Sequence, residues 1–282
     1  MRKDYELSAG NIVAAANGPI NVYINPDEPE RQHLVNELKI DEHTLSSALD
    51  PDEQARMEFE PDHIALNFKR PKNYSSEDQL LFKVLSTGVF LFKDRVVIVV
   101  ADDAPLFDGG KQLTKVQSLP SIVLKLIYRS IFHFLGHLRG VNAISDELEQ
   151  KIQASLENKY LIGLFTLEKS LVYYLNAIHS NGMVLEKLKN AASKLGFSQE
   201  EVELLDDIMV ENSQCLKQAE IYSNILAGLM DARVSIVSNN LNIQMRTLTI
   251  IMIGVMWPAL VSGFFAMNVK LPFPQEGTHW PF

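Results

Sequence analysis

The chain has one cysteine, Cys215, in 282 residues. A lone thiol makes neither an internal disulfide nor a multi-thiolate metal site, and it fits a reducing compartment. Positive charge is also scarce: 26 Lys and Arg stand against 35 Asp and Glu, for a net charge of −9. A general nucleic-acid binder carries a basic footprint, so no nucleic-acid partner is expected. The N-terminus, MRKDYELSAGN, has no apolar run of the kind a signal peptide needs. Catalytic signatures are missing as well. No Ser-His-Asp or Cys-His set has motif support, and Gly109-Gly110-Lys111 lacks the spacing of a phosphate-binding loop. The chain is not expected to be an enzyme.

What the chain does have is apolar length near its C-terminal end. Residues 247–269 read TLTIIMIGVMWPALVSGFFAMNV, 23 positions without a charge, between Arg246 and Lys270. A helix of that length is about 30–35 Å long, enough to cross the hydrocarbon core of a bilayer. A soluble core helix rarely runs so far without a charge. Thr247, Thr249, Gly254, Pro258, Ser262, Gly263 and Asn268 interrupt the apolar residues. Such groups suit helices that pack on helices or line a water path. The flanking cations balance and do not orient the span. The long soluble part made before it places the N-terminal domain in the cytoplasm and the span in the cell membrane.

Residues 1–115 read as an α+β domain, a mixed sheet with flanking helices. Strands are expected at Ile20–Ile24, Arg56–Glu60, His63–Lys69, Leu80–Ser86, Val89–Phe92 and Arg95–Ala101, with Lys93-Asp94 as a hairpin turn. Short helices are expected from Pro29 to Leu38 and from Thr44 to Leu49. Asp102, Asp103, Asp108, Gly109 and Gly110 mark a loop. Residues 116–197 read as helices. The first covers SIVLKLIYRSIFHFLGHL, a longer one Ile144 to His179, and a shorter one Met183 to Leu195, with breaks at Gly140, Asn181-Gly182 and Gly196.

Ser198 opens the last helix with a capping box, Ser198 followed by Glu201. No helix stop intervenes before the apolar span. Leu205, Ile208, Asn212, Cys215, Ala219, Tyr222, Leu226, Leu229, Arg233, Ile236, Asn240 and Ile243 recur in steps of three and four, a packing seam. Residues 198–246 are thus a stalk and 247–269 its transmembrane continuation. The whole is a single helix of about 70 residues, on the order of 105 Å. Such a helix needs long partners, so other copies of the chain are expected against it.

Several groups are candidates for cation chemistry. His133 and His137 share a helix face but lack the glutamate of a zincin motif and a third ligand, so they read as ordinary helix-surface or interhelix histidines. The Asp102, Asp103 and Asp108 loop lacks the twelve-residue calcium pattern. Glu200, Glu201, Glu203, Asp206, Asp207 and Glu211 suit the helix dipole. Asn242, Met245, Thr249, Met252, Met256, Gly263 and Asn268 share one broad helix face. They either pack helices together or form a pore, with Met rings as a dewetting gate and Asn amides holding the water of a hydrated cation.

The run Asn242 to Thr249 (NIQMRTLT), then Pro258, Gly263 and Phe265-Ala266-Met267-Asn268, resembles the end of the CorA family of divalent-cation transporters. Upstream, Gly228 to Asp231, Ser235 to Asn239, Leu164 to Ser170, Val22 to Asn25 and Leu49 to Glu58 resemble, in order, pieces of that family's stalk and cytoplasmic domain. The resemblance implies a homopentamer in the inner membrane that takes up Mg²⁺, with Co²⁺ or Ni²⁺ possible. One helix per subunit would line the pore, and cytoplasmic Mg²⁺ between subunits would hold it closed. By position, Ala266, Met267 and Asn268 form the selectivity signature, and Asn242, Met245, Leu248, Thr249, Met252, Met256 and Gly263 line the pore. Asp207 belongs to the regulatory metal site, facing Ser47, with Asp50 the nearest acid.

Three features depart from the family pattern. Ala266 stands where the signature has glycine, Ser47 where the regulatory site has an acid, and the sequence stops at Phe282, near where a second membrane helix should begin. A truncated chain is therefore expected, with residues 270–282 an extracytoplasmic loop bearing Lys270 and a single acid, Glu276. A zinc transporter of the ZntB-like branch, whose signature also varies at its first residue, and a non-conducting membrane-anchored cation sensor or scaffold are the competing readings.

Overall fold

A computed structural model describes residues 1–107, 116–154 and 158–266. Seven strands form one mixed sheet: β1 (Arg2–Ser8), β2 (Asn11–Ala14), β3 (Ile20–Ile24), β4 (Arg56–Phe59), β5 (His63–Pro71), β6 (Val84–Phe92) and β7 (Val96–Val100), in the order β2-β1-β3-β7-β6-β5-β4. Among the described strands only β3 and β7 pair in parallel. These two are also the strands buried along their whole length. That is what a central parallel pair requires, and the unbroken apolar run of β7 supplies it.

Two short helices, α1 (Glu28–Asn36) and α2 (Glu42–Leu49), cover one face. Asp27 caps α1 in a reciprocal box with Glu30, and Asp41 caps α2 by accepting from Thr44. Leu34, Ile40 and Leu45 pack on Tyr23, Ala65, Phe90, Val97 and Val99 of the sheet. Gly88 of β6 permits this approach: a Cβ there would lie 2.4 Å from that of Ala48. Three long helices follow: α3 (Leu119–Ala154), α4 (Asn158–Ala191) and α5 (Gln199–Ala266). Both α3 and α4 pack over β5 and β6. The chain divides into two compact units, Met1–Gly228 and Leu229–Phe282.

Several sequence expectations need correction. Leu80–Ser86 and Val89–Phe92 are not two strands. Leu80 has φ +68°, which no strand tolerates, so one continuous strand starts later, at Val84. Gly88 sits inside it. The β1–β2 hairpin was not foreseen. Gly140 and Asn181-Gly182 do not break helices, since α3 and α4 run through them. Asn181 is 1% exposed and spends its amide on β5, donating to Lys69 O at 2.8 Å and accepting from Lys69 N at 2.7 Å. Gly182 lies against Asn212 of α5, where a Cβ would come within 3.1 Å of Nδ2. The Asn-Gly pair is a docking point, not a turn. Gly196 is a true break, at φ +68°.

The start of α5 follows its sequence. Ser198 and Glu201 close the capping box: Glu201 N donates to Ser198 Oγ at 3.3 Å and Ser198 N to Glu201 Oε2 at 2.8 Å. Leu205, Ile208, Asn212, Cys215, Ala219 and Leu226 are all buried. Asn212 Nδ2 donates to Ile178 O of α4 at 3.1 Å, so the polar interruption of the seam ties two helices together. Burial pushes the Cys215 thiol up to about 12, and it stays inert as a small core residue.

Candidate functional site

Among the described residues, two helical stretches are long and apolar enough to cross a membrane. Leu119–Ile152 in α3 has mean hydropathy 1.2 and is half buried against the fold. Leu241–Ala266 in α5 has mean hydropathy 2.0 and no buried residue. It is the second that has the character of a span. Its threonine hydroxyls are met internally: Thr247 Oγ1 donates to Ile243 O at 2.9 Å and Thr249 Oγ1 to Met245 O at 2.8 Å. Pro258 brings no N–H, so the Gly254 carbonyl one turn earlier has no helical partner from it.

At about 100° per residue, Asn242, Met245, Leu248, Thr249, Met252, Met256 and Gly263 fall within an arc of about 120°. All are exposed in the single chain, Met245 at 67% and Met256 at 66%. Ile250, Ile251, Trp257, Val261 and Phe265 lie on the other side of the helix. One face is therefore soft and sparsely polar and the other is bulky and apolar. Ala266 is the last described residue. Met267 and Asn268 lie outside the described residues, as do Asp108, Lys111, Lys270 and Glu276.

The candidate regulatory residues belong to two elements. Asp207 is exposed on the first turns of α5. Asp50 is exposed just after α2, where its Oδ1 accepts from Asp52 N at 2.8 Å. Ser47 is 5% exposed and already engaged. It donates to His43 O at 2.9 Å, and Arg56 Nη2 donates to its Oγ at 2.9 Å. A hydroxyl facing a guanidinium is a poor place for a second cation. Among the described residues no group of three or more His, Cys, Asp or Glu is placed to hold a metal within one chain.

Sequence reading missed the group that fixes this loop. Lys69 is 4% exposed, and its Nζ donates to Ser86 Oγ at 2.7 Å and Pro51 O at 2.9 Å; Ser86 Oγ in turn donates to Asp50 O at 2.5 Å. Burial lowers the Lys69 ammonium to about 8, against the opposing pull of Asp50, Asp52 and Glu53. The one available signal was a lysine closing a strand pattern that otherwise reads as buried.

His133 and His137 stack edge to face on α3, ring centres 4.4 Å apart, and His137 Nδ1 lies 2.6 Å from the Tyr174 hydroxyl of α4. His137 is thus an interhelix histidine, while the contact shown for the His133 ring is with His137 on its own helix. Burial pushes His133 down to about 4, helped by the charges of His137, Arg70 and Arg129. Because this value lies below the ordinary 6.5, the unfolded chain takes up the proton first. The stability is whole above pH 6.5 and is lost as pH falls toward 4. Acidifying from pH 7 to pH 5 should cost about 1–2 kcal/mol through this group. His133→Gln should flatten that part of the thermal-unfolding profile; an unchanged slope would remove His133 as its source.

Comparison with known proteins places this architecture. The family description CorA-like Mg²⁺ transporter protein matches residues 22–282. The cobalt/magnesium transport protein CorA of Methanocaldococcus jannaschii is 22% identical over 252 residues, 86% of this chain and 78% of its own length. The CorA of Thermotoga maritima is 22% identical over 243 residues, 84% of this chain and 69% of its own. The complete structure of the M. jannaschii transporter aligns with TM-score 0.76 at 18% identity, over 96% of this chain and 88% of that one. The full-length CmaX protein aligns with TM-score 0.77 at 13% identity, over 99% and 89%. The ZntB cytoplasmic domain from Vibrio parahaemolyticus aligns with TM-score 0.63 at 14% identity, over 82% and 95%. With the mixed sheet, the long helices and the apolar C-terminal span in one order, the chain belongs to the CorA-like family of divalent-cation transporters.

Proposed function

We propose that the chain assembles as a homopentameric channel in the cell membrane, its N-terminal domain cytoplasmic, and admits Mg²⁺, with Co²⁺ or Ni²⁺ as lesser cargo. One observation carries this reading. The apolar span has a full face of Asn242, Met245, Thr249, Met252, Met256 and Gly263 that nothing among the described residues of its own chain covers. Copies of the helix around an axis would turn that face into a pore wall. The Met rings would form a dry constriction, opened by hydration. Asn242 and Asn268 amides would accept hydrogen bonds from the shell of a hydrated cation, which suits Mg²⁺ because it dehydrates reluctantly. The cobalt/magnesium relatives support the cargo.

Regulation follows the same logic. Asp207 on one protomer and Asp50 on the next would share a Mg²⁺ ion and hold the pore closed. Ser47 Oγ accepts from Arg56, so Asp50 takes the role the sequence position gives Ser47. Mg²⁺ should slow proteolysis of the assembled protein several-fold, and Asp207→Ala should remove most of that protection. Equal protection in mutant and parent would exclude Asp207 as a principal ligand.

The direct test is cation flux into liposomes holding the full-length protein. Mg²⁺ entry should appear and fall at least about tenfold on Asn268→Ala, an effect of the size expected for losing one ordered polar contact per subunit. No flux with any divalent ion, unrestored by Ala266→Gly, would leave a non-conducting cation sensor. Ala266 and the fold shared with the ZntB domain favour Zn²⁺ as the second reading. Zn²⁺ entry exceeding Mg²⁺ entry in the same liposomes would decide for it.

A further inference from the structure

Helices α4 and α5 each carry an apolar stripe on the side turned away from the chain's own core. On α4, Ile162, Phe165, Val172, Tyr173 and Met183 are exposed, Ile162 at 63% and Phe165 at 58%. At about 100° per residue they share an arc of about 100°, opposite the buried Leu167, Leu171 and Tyr174. On α5, Val210, Ile221 and Ile225 share an arc of about 60°, opposite the buried Ile208, Cys215 and Ala219. The α4 side chains present on the order of 500 Å² of surface, and an apolar patch of that size marks an interaction site. A specific interface takes about 800 Å² from each side and is roughly three-fifths apolar, so the stripe and its polar margins suffice for one.

The two stripes match in height. Asn212 Nδ2 donates to Ile178 O at 3.1 Å, Gly182 lies against Asn212, and Lys189 pairs with Asp206, so α4 and α5 run antiparallel. Each residue rises about 1.5 Å along either helix. Counted from the contact of Gly182 with Asn212, Tyr173 is level with Ile221, Lys169 with Ile225, and Met183 with Glu211, next to Val210. A ring of copies about an axis along α5 is built by rotation without rise. A surface on one copy therefore meets surfaces at its own height on the next. The ring also needs two different complementary surfaces on each chain, and these stripes are such a pair.

We propose, resting on the ring assembly argued above, that the α4 stripe of one copy packs on the α5 stripe of the next. Met183 then lies beside Val210, Tyr173 beside Ile221 and the stem of Lys169 beside Ile225. Lys169 Nζ is 5.8 Å from the centre of the Tyr173 ring, and its charge stays in water at the margin of the contact. The contact continues the one proposed for the regulatory ion. Asp207 lies one turn before Val210 on α5. On α4, Asn181 holds the backbone of Lys69, whose Nζ fixes the Asp50 loop. A Mg²⁺ ion shared by Asp50 and the next copy's α5 would close the same seam. Each stalk would thus be clamped to the cytoplasmic domain of its neighbour.

Paired cysteines in the full-length protein in detergent test this; Cys215 is buried and takes no part. Mild oxidation of the pair Tyr173→Cys and Ile221→Cys should give a ladder of covalent oligomers up to the pentamer, because a disulfide needs Cα atoms within about 7 Å. The pair Tyr173→Cys and Val210→Cys is displaced by about 16 Å along the stalk and should give at least about tenfold less. Val172→Asp, at an exposed position, should cut the ladder of the matched pair at least about tenfold, since it buries a charge in the contact. Light scattering gives the assembly state of each variant. Pentamers whose matched pair gives no more ladder than the displaced pair overturn the contact and leave the ring standing. So does an undiminished ladder in Val172→Asp. So does Tyr173→Cys alone dimerising as fully as the matched pair, which would set α4 against α4. Absence of any oligomer in the unsubstituted protein overturns contact and ring together.

Discussion

Asn181→Ala is expected to destabilise the N-terminal unit by about 2–4 kcal/mol. The reason lies in the length of β4. That strand pairs with β5 only from Ile64 to Asn67, so at Lys69 the backbone of β5 has no neighbour on that side. Asn181 reaches in from α4 and replaces the missing strand, one acceptor for Lys69 N and one donor for Lys69 O. Removing the side chain leaves the Lys69 N–H buried without a partner. The carbonyl fares better, because Ser130 Oγ also donates to it at 2.7 Å. Ser130→Ala should therefore cost less, about 1 kcal/mol. Thermal unfolding of the detergent-solubilised chain measures both. Hydrogen exchange at the Lys69 amide should rise sharply in Asn181→Ala alone. A loss below about 0.5 kcal/mol would mean that water replaces the amide and that α4 is held to the sheet by packing only.

That same residue shows what sequence reading captures. Asn-Gly reads as a turn because both residues tolerate left-handed backbone and Asn competes with helical hydrogen bonds. The competition vanishes when tertiary structure offers the amide two better partners. Gly140 likewise has nothing near it and merely weakens α3 without ending it. Signals rooted in local chemistry held well. The β-branched run of β7, the Lys93-Asp94 turn, the left-handed glycine at Gly196 and the Ser198–Glu201 box depend on a few adjacent residues. The β1–β2 hairpin was missed because its strands have no buried residue and lack a clear alternation.

Legibility differs just as much within the candidate site. The apolar span is plain from composition alone, and its polar face follows from helical periodicity. The loop that carries Asp50 is not. Its order depends on Lys69 and Ser86, residues on two strands that nothing in the sequence joins, and Arg56 takes up the hydroxyl of Ser47. Long-range polar contacts of this kind have no period, and a metal shared between chains has no signature within one chain.

The helix face itself gives the strongest functional prediction. Met252 and Ile250 are two residues apart, so they differ in depth by about 3 Å but point about 160° apart. Both are half-exposed or more in the single chain and lie near the middle of the apolar span. If the Met face lines a water path, Met252→Lys leaves the protein in the membrane, because the ammonium is hydrated there. The same change abolishes transport, because a ring of like charges opposes a divalent cation, and flux should fall at least about a hundredfold. Ile250→Lys puts the charge against lipid or another helix, at a cost of about 2.5–3.5 kcal/mol, and should instead cut the amount of membrane-integrated protein. Quantifying integrated protein and flux per integrated protein for the two variants separates the faces. If Met252→Lys integrates poorly while Ile250→Lys integrates well, the face is misassigned and the pore lies on the Ile250 side. If both integrate and both conduct, the span lines no path for cations and anchors the cytoplasmic unit only.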